Sequence, residues 1–230
     1  MSKHIIRLLV SASVASLGVQ QAVAQDLIYN PVVSNGKRVY ISPARHSDTG
    51  GRGECQGLSE NDIAYWNGRL AAYGTFTNVK NLNERGYAVR IGTGTIQSAI
   101  TNSNAWGAHA HIPLHSNART EACTTTTVSN HGTVVIYRTG STNGLNLANK
   151  LNYWVGGNSP GTSDSVCYNP NHPCSTIDLG ELRDTAAPAA YVEAEFHTWD
   201  TGASWLWNDP WSWRIAAAVD EHFGYPNPRP

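Results

Sequence analysis

The sequence predicts an α/β fold: a single domain with a mostly parallel central sheet and helices on both faces. Three observations carry this expectation. Short apolar stretches of strand type alternate with longer stretches of helical period across residues 37–226. The histidine-rich run AHAHIPLHSNA, residues 108–118, reads as a buried strand that opens into a loop. No internal repeat or composition shift divides the chain, and 230 residues are enough for one sizeable core.

Residues 1–24 stand outside that domain. Lys3 and Arg7 precede a mostly apolar run from Leu8 to Val19, and Ala22-Val23-Ala24 is a small-residue cleavage signature before Gln25. This is the pattern of a secretory signal peptide cut near Ala24, so the mature chain is expected to be exported, to the periplasm or the exterior. The apolar run is shorter than the roughly 20 residues a membrane span needs, and no membrane anchor is expected. Removing the segment leaves 14 basic against 17 acidic residues, a net charge of −3. With no basic block to neutralise phosphates, nucleic acid is excluded as the partner class. A monomer is expected.

Residues 25–36 form a leader without clear period. Arg38–Ser42 (RVYIS) is a short strand, followed by a Gly-rich loop to Gly57 that holds Arg45, His46, Glu54 and Cys55. Ser59 has the chemistry of a helix N-cap with Asp62 three residues on, and Ile63, Trp66, Leu70 and Tyr73 form an apolar stripe to about Phe76. Gly86–Ile91 is a second strand and Thr95–Ala105 a second helix. The histidine strand follows, then a strand over His131–Arg138 and a helix over Ser141–Trp154. Residues 158–176 read as loop. Ala189–Phe196 (AAYVEAEF) is a buried strand carrying Glu193 and Glu195. Asp209-Pro210 starts the last helix, whose core face is Ile215, Val219 and Phe223.

In such sheets, sites collect at the carboxyl ends of strands, and three candidates lie there. His46 follows the first strand, Glu60 opens the first helix, and His115 ends the histidine strand. Two histidines and a glutamate form a catalytic zinc set that leaves a fourth position for water. Glu193, ending the last strand, is the candidate general base for that water. His109 and His111 are read as structural residues below the metal. Glu60 also suits a helix N-terminus on electrostatic grounds alone.

Four cysteines in an exported chain suggest two disulfides. Cys167 and Cys174 flank a Pro/Asn-rich loop and can close it locally. Cys55 and Cys123 each sit in a loop just beyond a candidate metal histidine, and are paired on that basis. The rival, a zinc site built on cysteine, finds no C-x2-C or C-x4-C spacing.

Taken in order, these residues resemble the zinc-dependent N-acetylmuramoyl-L-alanine amidases of the amidase-3 type. The resemblance rests on His46, Glu60, the run Pro113-Leu114-His115-Ser116-Asn117, which is similar to the family's S-x-H-x-N motif, and Pro188 to Phe196, which is similar to its strand ending in E-x-G-F. Gly86-Tyr87-Ala88-Val89-Arg90 and Gly132-Thr133 also look similar, so the likeness spans about residues 37–224. The chain departs from the pattern at Ala44-Arg45-His46-Ser47, which lacks the usual glycines, and at Glu195, which stands where the motif has glycine. Two acids therefore compete for the role of base; the motif alignment favours Glu193, with Glu195 the alternative. By strand parity the two would face the same side.

The resemblance implies zinc held by His46, Glu60 and His115, and hydrolysis of the amide between N-acetylmuramic acid and L-alanine in peptidoglycan or muropeptides. Asn117 and Arg183 are candidate substrate contacts; Arg183 either receives a substrate carboxylate or pairs with Asp184. His197 is a further candidate contact. The tryptophans at 199, 205, 207, 211 and 213 either stack on sugar or wedge the last helix onto the sheet, with Trp205 and Trp207 the expected exposed pair. Two other readings stand beside the amidase: a zinc peptidase of the cell wall, and a non-catalytic wall-binding protein on the same fold.

Overall fold

The structure, a computed structural model, describes residues 25–44, 55–57, 59–118, 122–126, 130–170, 178–208 and 211–225. His46, Glu54 and Cys174, and the expected signal peptide, lie outside the described residues. Seven strands form one sheet: β1 (Leu27–Tyr29), β2 (Arg38–Pro43), β3 (Ala88–Ile91), β4 (Ala110–Asn117), β5 (Val134–Arg138), β6 (Ser165–Asn169) and β7 (Ala190–Phe196). Their spatial order is β1-β3-β2-β4-β7-β5-β6. The four central strands β3, β2, β4 and β7 run parallel. β1 is antiparallel to β3, and β5, with β6 parallel beside it, is antiparallel to β7.

This topology decides what reaches the site. The carboxyl ends of β2, β4 and β7 share one edge of the sheet. Because β5 and β6 run the other way, the loops entering them arrive at that same edge. Among the described residues between β4 and β5 there is no helix, and β5 pairs antiparallel with β7.

Helices cover both faces. Ala110, Ile112 and Leu114 of β4 point into the main core, under α1 (Glu60–Tyr73), α3 (Thr142–Val155), α5 (Asp200–Asn208) and α6 (Trp213–His222). A smaller cluster of Ile136, Cys167, Leu182 and Ala189 lies on the other face, with α4 (Gly180–Arg183); α2 (Ile96–Trp106) also covers this face, where Ser103 meets His111. α1 is started by Ser59, whose hydroxyl accepts the Asp62 N–H at 3.1 Å. It lies close on the sheet because Gly68 presents no side chain: a Cβ there would sit 3.3 Å from both Ile41 and Pro43. That close approach carries the first turn of α1 over the carboxyl ends of β2 and β4.

Several elements differ from the sequence expectation. The leader over residues 25–36 adds β1 as an edge strand. The segment read as loop after residue 158 contains β6. α1 ends at Tyr73 rather than near Phe76, with the Gly74 N–H closing on Leu70 O at 2.7 Å. Asp209 and Pro210 lie outside the described residues, and the last helix is described from Trp213. Trp199 and Trp211 are buried, and Trp205 stacks on Trp211 at 5.3 Å, so these rings wedge α5 and α6 onto the sheet. The exposed pair is Trp207 with Trp66 of α1, at 6.2 Å, in place of Trp205 with Trp207.

Away from the site edge, Asp220 of α6 is buried and accepts hydrogen bonds from Arg85 and, at 2.8 Å, from the Tyr87 hydroxyl. Among the described residues no helix is long and apolar enough to cross a membrane.

Candidate active site

β4 alternates apolar and polar residues, so His111 and His115 share the face opposite the main core. His111 is buried and bridges Ser103 of α2 at 3.0 Å and Glu181 of α4 at 3.1 Å. Burial alone would raise the Glu181 carboxyl; the His111 hydrogen bond and charge outweigh it and hold it below its ordinary range. His109 accepts the Arg38 N–H at 3.0 Å, fixing the start of the strand. Both therefore serve the scaffold beneath His115.

His115 reaches the carboxyl edge. Its Nδ1 lies 2.8 Å from Glu60 Oε1, and its ring stacks on Tyr191 of β7 at 4.4 Å. Glu60 Oε1 also accepts the Ser116 N–H at 3.4 Å. Burial would depress the imidazole, but the Glu60 hydrogen bond and the charges of Glu193 and Glu60 outweigh it, so the His115 pKa is raised.

Glu193 is paired in register with His115 across β4 and β7. Burial pushes its carboxyl up to about 7, with His115 opposing and Glu60 adding to the rise. Its Oε2 is buried and finds no hydrogen-bond partner among the described residues. An unsatisfied buried carboxylate oxygen beside a histidine–glutamate pair calls for a cation or a water at that point. Nitrogen and carboxylate donors suit a borderline metal such as zinc, and Glu60 and His115 fit that requirement.

Among the described residues, only Cys55, Cys123 and Asp200 form a group of three with ligand atoms all within 4.8 Å of one another. The cysteine group is not a metal centre in the oxidised chain, because Cys55 and Cys123 are joined to each other as a disulfide and neither sulfur is a thiolate. That bond is the pairing the sequence suggested. Cys167 is also disulfide-bonded; its expected partner, Cys174, lies outside the described residues.

Glu195 goes elsewhere. A register shift between His115 and Asn117 interrupts the alternation of β7 against β4. The Glu195 side chain is fully buried and accepts three backbone N–H bonds, from Gly132 at 3.0 Å, Gly161 at 2.9 Å and Phe196 at 2.9 Å. Burial raises its pKa against the pull of those three donors. Glu193 meets the histidine–glutamate pair while Glu195 binds loops, so strand parity alone misplaces the second acid.

Asn117 ends β4 at the site edge, partly buried, with its Oδ1 accepting the Ala118 N–H at 2.8 Å. His197 is buried, its Nδ1 set against Ser116 Oγ at 2.9 Å, and it joins the ends of β4 and β7. Arg183 is not brought to these residues. It sits at the opposite edge, where β5 ends and β7 begins, and its guanidinium is bound to Asp178 at 2.6 Å and Asp184 at 2.6 Å. Its own carbonyl accepts from Arg138, so of the two readings of Arg183 the structure has the pairing with Asp184. Gly132 enters the sequence reading only through the Gly132-Thr133 likeness and Gly161 not at all, and neither shows in sequence the bond it makes to Glu195.

No protein-family model matches the sequence, and no curated protein matches it. Comparison with solved structures does find the fold. N-acetylmuramoyl-L-alanine amidase from Clostridium difficile 630 superposes with a TM-score of 0.63 at 18% identity, covering 83% of this chain and 96% of that one. The N-acetylmuramoyl-L-alanine amidase AmiC2 of Nostoc punctiforme gives 0.60 at 18% identity, covering 82% and 96%. The catalytic domain of CwlV, N-acetylmuramoyl-L-alanine amidase from Bacillus (Paenibacillus) polymyxa var. colistinus, gives 0.59 at 14% identity, covering 81% and 96%. This chain has the fold of those amidase domains over nearly their whole length.

Proposed function

We propose that the chain is an exported, zinc-dependent N-acetylmuramoyl-L-alanine amidase, cutting the amide between the lactyl group of N-acetylmuramic acid and L-alanine in peptidoglycan. The observation that carries this reading is the His115–Glu60 pair at 2.8 Å with Glu193 beside it, its Oε2 buried and unsatisfied, on a fold solved for such amidases. His46, Glu60 and His115 are the residues that would hold zinc. Bound there, zinc would supply Lewis-acid polarisation of the scissile carbonyl and acidify a water.

Glu193 acts as the base. It takes a proton from the attacking water as the water oxygen joins the carbonyl carbon. It returns that proton to the amide nitrogen as the C–N bond breaks, giving a lactyl carboxylate and a stem peptide with a free L-alanine amine. In the metal-free chain burial makes this carboxyl hold its proton more tightly than usual; bound zinc would oppose that and favour the carboxylate the base needs. Tyr191 holds the His115 ring in place by stacking, and Glu181 and His111 support the strand below.

Digestion of purified muropeptides tests the reading. Release of free stem peptides beginning at L-alanine supports the amidase. Cleavage inside the stem peptide makes the chain a peptidase, and binding without cleavage by the zinc-loaded protein makes it a non-catalytic wall-binding protein.

A further inference from the structure

Glu195 is a buried acid that the proposed chemistry does not use. Its Oε2 accepts the N–H groups of both Gly132 and Phe196, and its Oε1 accepts that of Gly161. Gly132 lies in the loop entering β5, and Gly161 in the loop entering β6. The two loops are also bonded to each other, with Thr162 N–H and Ser163 N–H both reaching His131 O at 3.0 and 2.9 Å. The Thr133 hydroxyl donates to Ala194 O, a second tie to β7.

The space around the carboxylate is made by glycines. A Cβ at Gly161 would fall 2.5 Å from Glu195 Oε1 and 2.4 Å from Gly132 N. A Cβ at Gly132, whose φ is +154°, would meet the backbone of Ser163 at 2.7 Å. A Cβ at Gly202 of α5 would sit 3.0 Å from Glu195 Cγ. The carboxylate thus fills a cradle in which backbone donors replace side chains, with three N–H groups for its two oxygens.

Both loops arrive at the edge that carries His115 and Glu193, because β5 and β6 run against β7. We propose that Glu195 is a positioning residue: it clamps the loops entering β5 and β6 to the strand that bears Glu193, and so holds them as one wall of the substrate cleft. The clamp rests on the amidase reading for the identity of the substrate, a muropeptide, and on geometry alone for its existence.

Glu195→Gln tests it, because glutamine keeps the shape and turns an NH2 toward a backbone N–H that needs an acceptor. Binding is measured by calorimetry with a purified muropeptide, comparing Glu193→Gln with the double variant Glu193→Gln/Glu195→Gln, so that no turnover is needed. The clamp predicts roughly tenfold or greater weakening in the double variant, the scale of a lost hydrogen bond to a charged group. It also predicts faster amide hydrogen exchange over residues 130–133 and 159–164, with zinc content unchanged. Gly161→Ala breaks the clamp from the loop side and should shift binding in the same direction. In the active background, Glu195→Gln should raise KM more than it lowers kcat.

Unchanged affinity and unchanged exchange in the double variant would overturn the proposal. So would a fall in kcat with KM unmoved, which would make Glu195 the base. Should the wild-type chain fail to cleave muropeptides while the double variant still binds them more weakly, the hydrolytic reading falls and the clamp stands.

Discussion

Glu60 Oε1 and His115 Nδ1 lie 2.8 Å apart although 55 residues separate them in the chain. One comes from the first turn of α1 and the other from the end of β4, so the contact exists only when the helix is seated on the sheet. A glutamate at a helix N-terminus needs no partner for its electrostatics; its buried approach to a strand histidine is the contact on which the proposed zinc site rests.

Metal binding should depend on both residues. We expect about one zinc per chain, removed by a strong chelator and restored by added zinc. His115→Ala should lose the metal, and Glu60→Gln should weaken it strongly, as read by elemental analysis after dialysis. Zinc should raise the melting temperature of the wild type and not of His115→Ala, since a ligand stabilises the state that binds it. Full zinc occupancy in His115→Ala would remove that residue from the site.

The Cys55–Cys123 bond spans 68 residues and ties down three stretches of the site rim. Cys55 N–H bonds His197 O at 3.0 Å, and Thr124 forms a bridge with Trp199. Replacing both cysteines with serine should lower unfolding free energy by roughly 2–4 kcal/mol, measured by denaturant titration. Non-reduced peptide mapping should recover the 55–123 peptide; one joining Cys123 to Cys167 would contradict the fold.

The buried Arg85–Asp220 pair offers a check on the scaffold far from the chemistry. Asp220 also accepts from the Tyr87 hydroxyl, so Asp220→Ala strands an arginine in the core. The expected loss is about 3–5 kcal/mol, with zinc content and KM unchanged in whatever fraction remains folded. A loss under 1 kcal/mol would mean that water reaches Arg85.

The sequence made the central strands legible because they obey short-range rules, and it named Glu60 and His115, which the fold brings together. β4 shows its alternation, and Ser59 shows its cap. β1 and β6 were missed because edge strands pair on one side only and carry little apolar pattern: β6 buries Cys167 and Asn169 while Tyr168 points outward. The reversal of β5 carries no short-range signal, because a strand's direction is set by what it pairs with, here β7. That reversal is what brings Gly132 and Gly161 to the site, so the role of Glu195 could not be read from its strand alone.

The last prediction concerns pH, because Glu193 has two separate signatures. In the metal-free chain its folded pKa, about 7, is above the ordinary carboxyl value of 4.5. A group raised in this way contributes stability that is fully present below pH 4.5 and is lost as pH rises through about 7. With chelator present, the Glu193→Gln variant should therefore lose less stability than wild type between pH 5 and pH 8, as read by melting temperature. With zinc bound, the nearby cation favours the carboxylate and lowers its pKa. Wild-type kcat should then rise with pH along an acid limb below 7 and level off, as expected for a base that must be ionised. Glu193→Gln should lose that limb together with about 10²- to 10⁴-fold in kcat, at unchanged zinc content, whereas Glu195→Gln should keep the limb. An acid limb that survives in Glu193→Gln and vanishes in Glu195→Gln would exchange the roles of the two acids.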